Sequence, residues 1–139
     1  MSAAWSVSYE DLDVLARTIY GEASAEPPLG RLAVAWVVLN RWRSGKWFAG
    51  KTVAATCRKR WQFSCWNDSD PNRRRIEKAS LAQLRDSLDA ALAALSGIAG
   101  DPTGGATHYY ADYIKPPAWA KGRQPTVKIG RHLFFAGVD

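Results

Sequence analysis

The chain is poor in the residues that staple small folds, ligate metals or cross membranes. Its 139 residues include two cysteines, two histidines and one methionine. Cys57 and Cys65 are close enough in sequence to close a small loop, but one pair is no disulfide framework, and two reduced, partly buried thiols are expected. With only His108 and His132, and no His-x-x-x-His or Cys-x-x-Cys spacing, no zinc site is expected, and nothing calls for a cofactor. No apolar run approaches the roughly 18 residues of a spanning helix, which argues against an integral membrane segment. The start, Met1-Ser2-Ala3-Ala4-Trp5-Ser6, lacks a basic stretch followed by an apolar one. The expectation is a chain made in the cytoplasm without a signal peptide, which needs separate help for any work outside it.

What is present is ordinary globular composition, with 47% hydrophobic and 23% charged residues. The length suits one domain, residues 1–139, with a single core. The net charge is +6, and basic residues cluster at Arg58-Lys59-Arg60 and Arg73-Arg74-Arg75. That balance favours a polyanionic partner, which could be nucleic acid, anionic lipid or an anionic cell envelope; charge does not choose among them.

Hydrophobic periodicity predicts a mostly helical chain with an irregular C-terminal third. Ser8 and Asp11 resemble a capping box, and Leu12, Leu15, Ala16 and Ile19 then form the stripe of a first helix running to Glu22. After Pro27-Pro28, Leu29 to Arg43 is apolar almost all round and should be the central buried helix, closed by Ser44-Gly45. A short helix is expected at Thr52 to Arg58, then a loop to Asn72. A single long amphipathic helix is expected from Arg73 to Ser96. Thr107 to Tyr110 and Val127 to Phe135 have the β-branched and aromatic content of short strands, and a hairpin or small sheet lying against the helices is expected.

Glu22 lies beside the apolar stripe of the first helix, with Gly21 before it and the two prolines after it, so that the helix is expected to stop here. A carboxyl held against apolar surface favours its protonated form, which a general acid requires. The alternative is a rim glutamate that solvates a helix end. Seven tryptophans is a high count, and Trp61, Trp66 and Trp119 sit in loop-like contexts near Gln, Asn, Ser and Tyr. Such clusters suit a glycan groove, unstacked nucleobases or plain core packing.

Six blocks in order carry a resemblance. They are A-R-x-I-Y-x-E-A at Ala16 to Ala23, G-x-x-A-V-A-x-V-x-L-N-R at Gly30 to Arg41, Q-F-S-C-W at Gln62 to Trp66, D-P-T-x-G-A-x-x-Y-Y at Asp101 to Tyr110, P-x-W at Pro117 to Trp119, and I-G-x-H-x-F at Ile129 to Phe134. Together, over about residues 9 to 136, they make the chain resemble the spore-cortex-lytic cell wall hydrolase family. The resemblance implies an α+β, mainly α fold with a lysozyme-like, lytic-transglycosylase-like core and a small C-terminal β element. It implies cleavage of peptidoglycan between N-acetylmuramic acid and N-acetylglucosamine. Glu22 is then the catalytic acid, and Gln62, Phe63, Tyr109, Tyr110, Trp119 and His132 are candidates for lining the cleft. His132 also reads as a hydrogen-bonded strand histidine, and Asn40 as a residue supporting a helix end.

One carboxyl can serve both halves of such a reaction, first as acid and then as base. It would then take the proton from the muramic C6 hydroxyl in a lytic transglycosylase, or from water in a muramidase. A conventional glycosidase needs a second carboxylate, for which Glu26 is the first candidate and Asp101 and Asp112 are weaker ones. Spore relatives commonly carry a leader and a separate peptidoglycan-binding domain, neither of which this sequence shows. That points to a monomeric, stand-alone phage or prophage endolysin, released to the periplasm or cell wall by a holin-type pore and aided by electrostatic contact with the anionic envelope. An amidase, a nucleic-acid-binding module and an inert peptidoglycan-binding domain are the remaining readings. The ordered blocks favour the enzyme, with no nucleic-acid partner.

Overall fold

A computed structural model describes residues 6–60 and 62–139. Trp61, one of the tryptophans weighed for a glycan groove, lies outside the described residues. Ser8 opens helix α1 (Tyr9–Ala23) with a reciprocal cap: its hydroxyl accepts from Asp11 N at 3.2 Å, and Asp11 Oδ2 accepts from Ser8 N at 2.9 Å. Such a box satisfies two of the N–H groups that every helix start leaves orphaned. Asp11 also reaches out of α1, because its Oδ1 accepts from Ala54 N at 2.9 Å. The helix runs through Gly21 and ends two residues beyond it, so the glycine serves packing and does not stop the chain.

Helix α2 (Pro28–Ser44) begins with proline in its first turn, where no N–H is needed, and ends at Gly45 with φ +66°. Ala33, Val34, Ala35, Val37, Val38 and Leu39 are wholly buried, which makes α2 the central helix its composition predicts. Each of its larger side chains contributes roughly 1.5–3 kcal/mol by leaving water. α1 packs on α2 and on the helix Leu81–Leu95, and the short α3 (Val53–Cys57) bridges α1 and α2.

The long helix expected at Arg73 to Ser96 is two helices, α4 (Pro71–Lys78) and α5 (Leu81–Leu95). Ala79 is extended, with ψ 132°, and Ser80 forms a second capping box with Gln83. Across the break, Arg17 of α1 donates to the carbonyls of Ile76, Glu77 and Ala79 at 2.7, 3.2 and 3.1 Å. Hydrophobic periodicity continues through the break, so it could not reveal it; the capping pair Ser80-x-x-Gln83 was the available signal.

The C-terminal third builds a three-stranded antiparallel sheet in the order β1 (His108–Ala111), β3 (His132–Phe135), β2 (Val127–Ile129). Within the stretch Val127 to Phe135, β2 and β3 form a hairpin, in keeping with the hairpin or small sheet expected there, because Gly130 turns the chain at φ +58°. Register then sorts the aromatics. Tyr109 pairs with Phe134, and His132 lies two residues before Phe134, so these three share one face, turned toward the helices. Tyr110, Leu133 and Phe135 share the other face, where they pack with Trp119, Ala120 and Val138. The result is the expected mainly helical α+β fold with a small C-terminal sheet.

Candidate active site

Glu22 sits in the last turn of α1, and its position depends on Gly21. A Cβ at Gly21 would lie 2.8 Å from Cys65 Cβ, 3.0 Å from its Sγ and 3.1 Å from Ile76 Cγ2. Only glycine lets α1 close on the 3₁₀ turn Ser64–Trp66 and on α4, and that approach brings Ser64 and Asn72 to the same cleft as Glu22. The opposite wall is β1 with the loop after it, which supplies Tyr109, Tyr110 and Tyr113. His132 of β3 completes a hollow of about 400 Å³. Among the described residues Glu22 is the one carboxylate lining it.

The Tyr109 hydroxyl donates to Glu22 Oε1 at 2.7 Å, joining the first helix to the first strand across 87 positions of sequence. Burial, reinforced by the Glu22 charge, pushes the Tyr109 phenol well up, so it stays a proton donor at any working pH. Cys65 lies against Glu22 as well; burial first, then the carboxylate, pushes its thiol up. Cys57 is pushed up to about 12 by burial, and both cysteines are free, as expected of reduced thiols.

Arg41 holds the back of this wall. It is only 5% exposed, and its Nε donates to Thr107 O at 2.5 Å while Nη1 donates to Gln62 Oε1 at 3.2 Å. Its guanidinium lies 4.6 Å from the Phe63 ring centroid and 5.5 Å from that of Phe48. Burial lowers its pKa, opposed by the charges of Tyr109 and Glu22. Gln62 and Phe63 are therefore supports for Arg41, not walls of the cleft. Trp119 stands on the far face of the sheet, edge-on to His108 at 4.9 Å and to Phe135 at 5.1 Å. Of the six residues considered for the cleft, Tyr109, Tyr110 and His132 line it, and Gln62, Phe63 and Trp119 do not.

Glu26 is buried but occupied elsewhere. Its Oε1 accepts from Arg131 N at 3.0 Å and lies 3.5 Å from His132 Nδ1. Burial lowers the His132 pKa, opposed by Glu26 and Glu22, which makes that contact a neighbourhood more than an ion pair. Asp101 accepts from Thr103 N at 2.7 Å, Gly105 N at 3.0 Å and Asn40 Nδ2 at 2.9 Å. Burial works against its ionisation, but hydrogen bonds from Thr103, Asn40 and Gly105 hold its carboxyl below the ordinary range. Asn40 thus ties α2 to the segment before β1. Asp112 pairs with Arg131 at 2.8 Å and Lys128 at 3.0 Å. None of the three lines the hollow. Ser64, Asn72 and Tyr113 were missed as cleft residues; Ser64 stood inside the Q-F-S-C-W block, whereas Asn72 and Tyr113 carry no local signal.

His108 gives the sheet a pH dependence. It is 6% exposed, its Nδ1 lies 2.9 Å from Thr107 Oγ1, and burial, helped by Arg41, Arg123 and Lys46, lowers its pKa to about 4. The unfolded chain takes up this proton near the ordinary value of 6.5, whereas the folded chain refuses it until about 4. The stability contributed by neutral His108 is present above pH 6.5 and is lost as pH falls toward 4. Urea midpoints are expected to fall over that window in the native protein and to fall less in His108→Gln; equal slopes would refute the assignment.

Residues 25–135 match the family model described as Cell Wall Hydrolase. Spore cortex-lytic enzymes of Bacillus cereus and Halalkalibacterium halodurans are each 32% identical over 127 residues, which is 91% of this chain and 44% and 35% of theirs. The chain thus spans less than half the length of these curated relatives. The crystal structure of the catalytic domain of the Bacillus cereus SleB protein superposes with a TM-score of 0.72 at 29% identity, covering 93% of this chain and 91% of that one. The catalytic domain of SleB from Bacillus anthracis, described as a germination-specific lytic transglycosylase, gives 0.71 at 30% identity, covering 93% and 96%. The fold is that of these lysozyme-like catalytic domains, and the chain belongs to the cell wall hydrolase family.

Proposed function

We propose that this chain degrades peptidoglycan by cutting the glycan strand between N-acetylmuramic acid and N-acetylglucosamine, as a lytic transglycosylase with Glu22 as acid and then base. The observation that carries this reading is a single carboxylate lining the cleft among the described residues, held by Tyr109 at 2.7 Å. Because Oε1 already accepts a hydrogen bond, the proton of the neutral carboxyl belongs on Oε2. Donation to the glycosidic oxygen breaks its bond to the muramic C1 as positive charge develops on the ring. The Glu22 carboxylate then takes the proton of the same sugar's C6 hydroxyl, and O6 closes on C1 to give a 1,6-anhydro end.

An intramolecular nucleophile needs no second carboxylate to position water, which accords with Glu26, Asp101 and Asp112 being engaged away from the hollow. Arg58, Lys59 and Arg73 border a separate surface hollow with Trp66, and in this reading they add contact with the anionic envelope. Digestion of purified cell walls, with products read by mass spectrometry, tests the proposal. Anhydro-muramic ends are expected. Reducing muramic ends would replace it with a muramidase, and freed stem peptides with an amidase.

Tyr109→Phe is expected to lower kcat roughly tenfold to a hundredfold, since a hydrogen bond to an ionised group is worth about 1.5–3 kcal/mol. Fold should be retained, because the phenyl ring keeps its packing against Phe134 and His132. Unchanged turnover would remove Tyr109 from the mechanism.

A further inference from the structure

Two arginines flank the cleft, each over a tyrosine ring, and only one of them has an ion-pair partner among the described residues. On the sheet side, Arg131 lies 5.3 Å from the ring centroid of Tyr113, a cleft wall, and pairs with Asp112 at 2.8 Å. On the helix side, Arg75 of α4 lies 4.6 Å from the ring centroid of Tyr20, two residues before Glu22. Its Nε donates to Oδ1 of Asn72, itself a cleft wall, at 3.2 Å, and Nη2 donates to Tyr20 O at 3.5 Å. The ring and the two hydrogen bonds orient the guanidinium, while Nη1 has no acceptor among the described residues. No carboxylate of the described residues neutralises it, although Asp13, Asp68 and Glu77 pair with other arginines of the same region.

We propose that Arg75 is the subsite for a stem-peptide carboxylate, so that the enzyme prefers glycan strands bearing peptides with free carboxylates. The inference rests on glycan cleavage as the activity. An intact peptidoglycan strand carries no carboxylate on its sugars, because each lactyl group is in amide linkage to its peptide; the anion that reaches a cleft-rim cation therefore belongs to the peptide. A planar guanidinium already fixed over an aromatic ring loses little freedom on taking a carboxylate. Arg131 is already paired with Asp112, which makes the sheet side of the cleft unlike the helix side.

The test compares native enzyme, Arg75→Gln and Arg75→Lys on intact strands and on strands whose stem carboxylates are blocked as methylamides. The ratio of KM between Arg75→Gln and native is expected to be about tenfold on intact strands and close to one on blocked strands. Arg75→Lys should fall between, since it keeps charge but not the fork. Equal ratios on the two substrates, or no change on intact strands, would overturn the carboxylate subsite. Failure of the native enzyme to cut either strand would instead overturn the activity on which it rests.

Discussion

Replacing Glu22 with Gln is expected to lower glycan cleavage by about 10³-fold, the scale of a lost general acid. The substitution is nearly isosteric, and the amide oxygen can still accept from Tyr109, so the thermal midpoint should move little. What disappears is the transferable proton and, after bond cleavage, the carboxylate that would accept one. Release of soluble fragments from purified cell walls by the two proteins, at matched fold by circular dichroism, measures it. Full activity in Glu22→Gln would end the catalytic assignment, and with it the reading of Tyr109 as its partner. Loss of activity together with loss of fold would show that Glu22 is structural.

The second large effect is expected at Gly130, far from Glu22 in sequence but in the hairpin that carries His132. Gly130 has φ +58°, and a Cβ there would fall 2.3 Å from Glu26 Oε1 and 3.2 Å from Pro27 Cδ. Gly130→Ala must therefore adopt a strained backbone and push aside a buried carboxylate that accepts from Arg131 N at 3.0 Å. The left-handed conformation costs about 1–2 kcal/mol, and disturbing a hydrogen bond to a charged group adds about 1.5–3 kcal/mol. A destabilisation of about 3 kcal/mol is expected in urea unfolding, with activity falling as the cleft wall loosens. A change below 0.5 kcal/mol would mean that Glu26 does not clamp the α1–α2 corner to the β2–β3 turn.

That clamp bears on how Glu26 reads from sequence. One helical turn past Glu22, it stood as the first candidate for a second carboxylate, since no local rule tells a catalytic glutamate from a structural one. Its direction is set by Gly130, more than a hundred residues away. The same limit applies to Gln62, Phe63 and Trp119, polar or aromatic residues in recognisable blocks. The sheet register puts Trp119 behind the strand that carries Tyr109, and Arg41 draws Gln62 and Phe63 to the back of the wall. Blocks in a family pattern include supports as well as walls, and chemistry at the level of residue type does not separate them.

Local signals sufficed where the determinant was local. The Ser8 cap, the proline start of α2, its all-round apolar surface and its Gly45 stop each correspond to an observed element, because caps and burial act within a turn or two of the residues that cause them. The failure was a break within apparent continuity, α4 from α5 at Ser80. There, a capping pair overrode a hydrophobic pattern that runs on unbroken.

By itself, the sequence determined a helical core around α2, a C-terminal β element, a cell wall hydrolase pattern and one carboxylate at the end of an apolar helix. Only the tertiary structure decided which groups meet that carboxylate. Gly21 lets α1 close on Ser64 and Asn72, the β1–β3 register turns Tyr109 toward Glu22 and Trp119 away, and Gly130 takes Glu26 out of the cleft. The division is physical: helix caps and periodicity act over a few residues, whereas a hydrogen bond across 87 positions exists only once packing has fixed both of its ends.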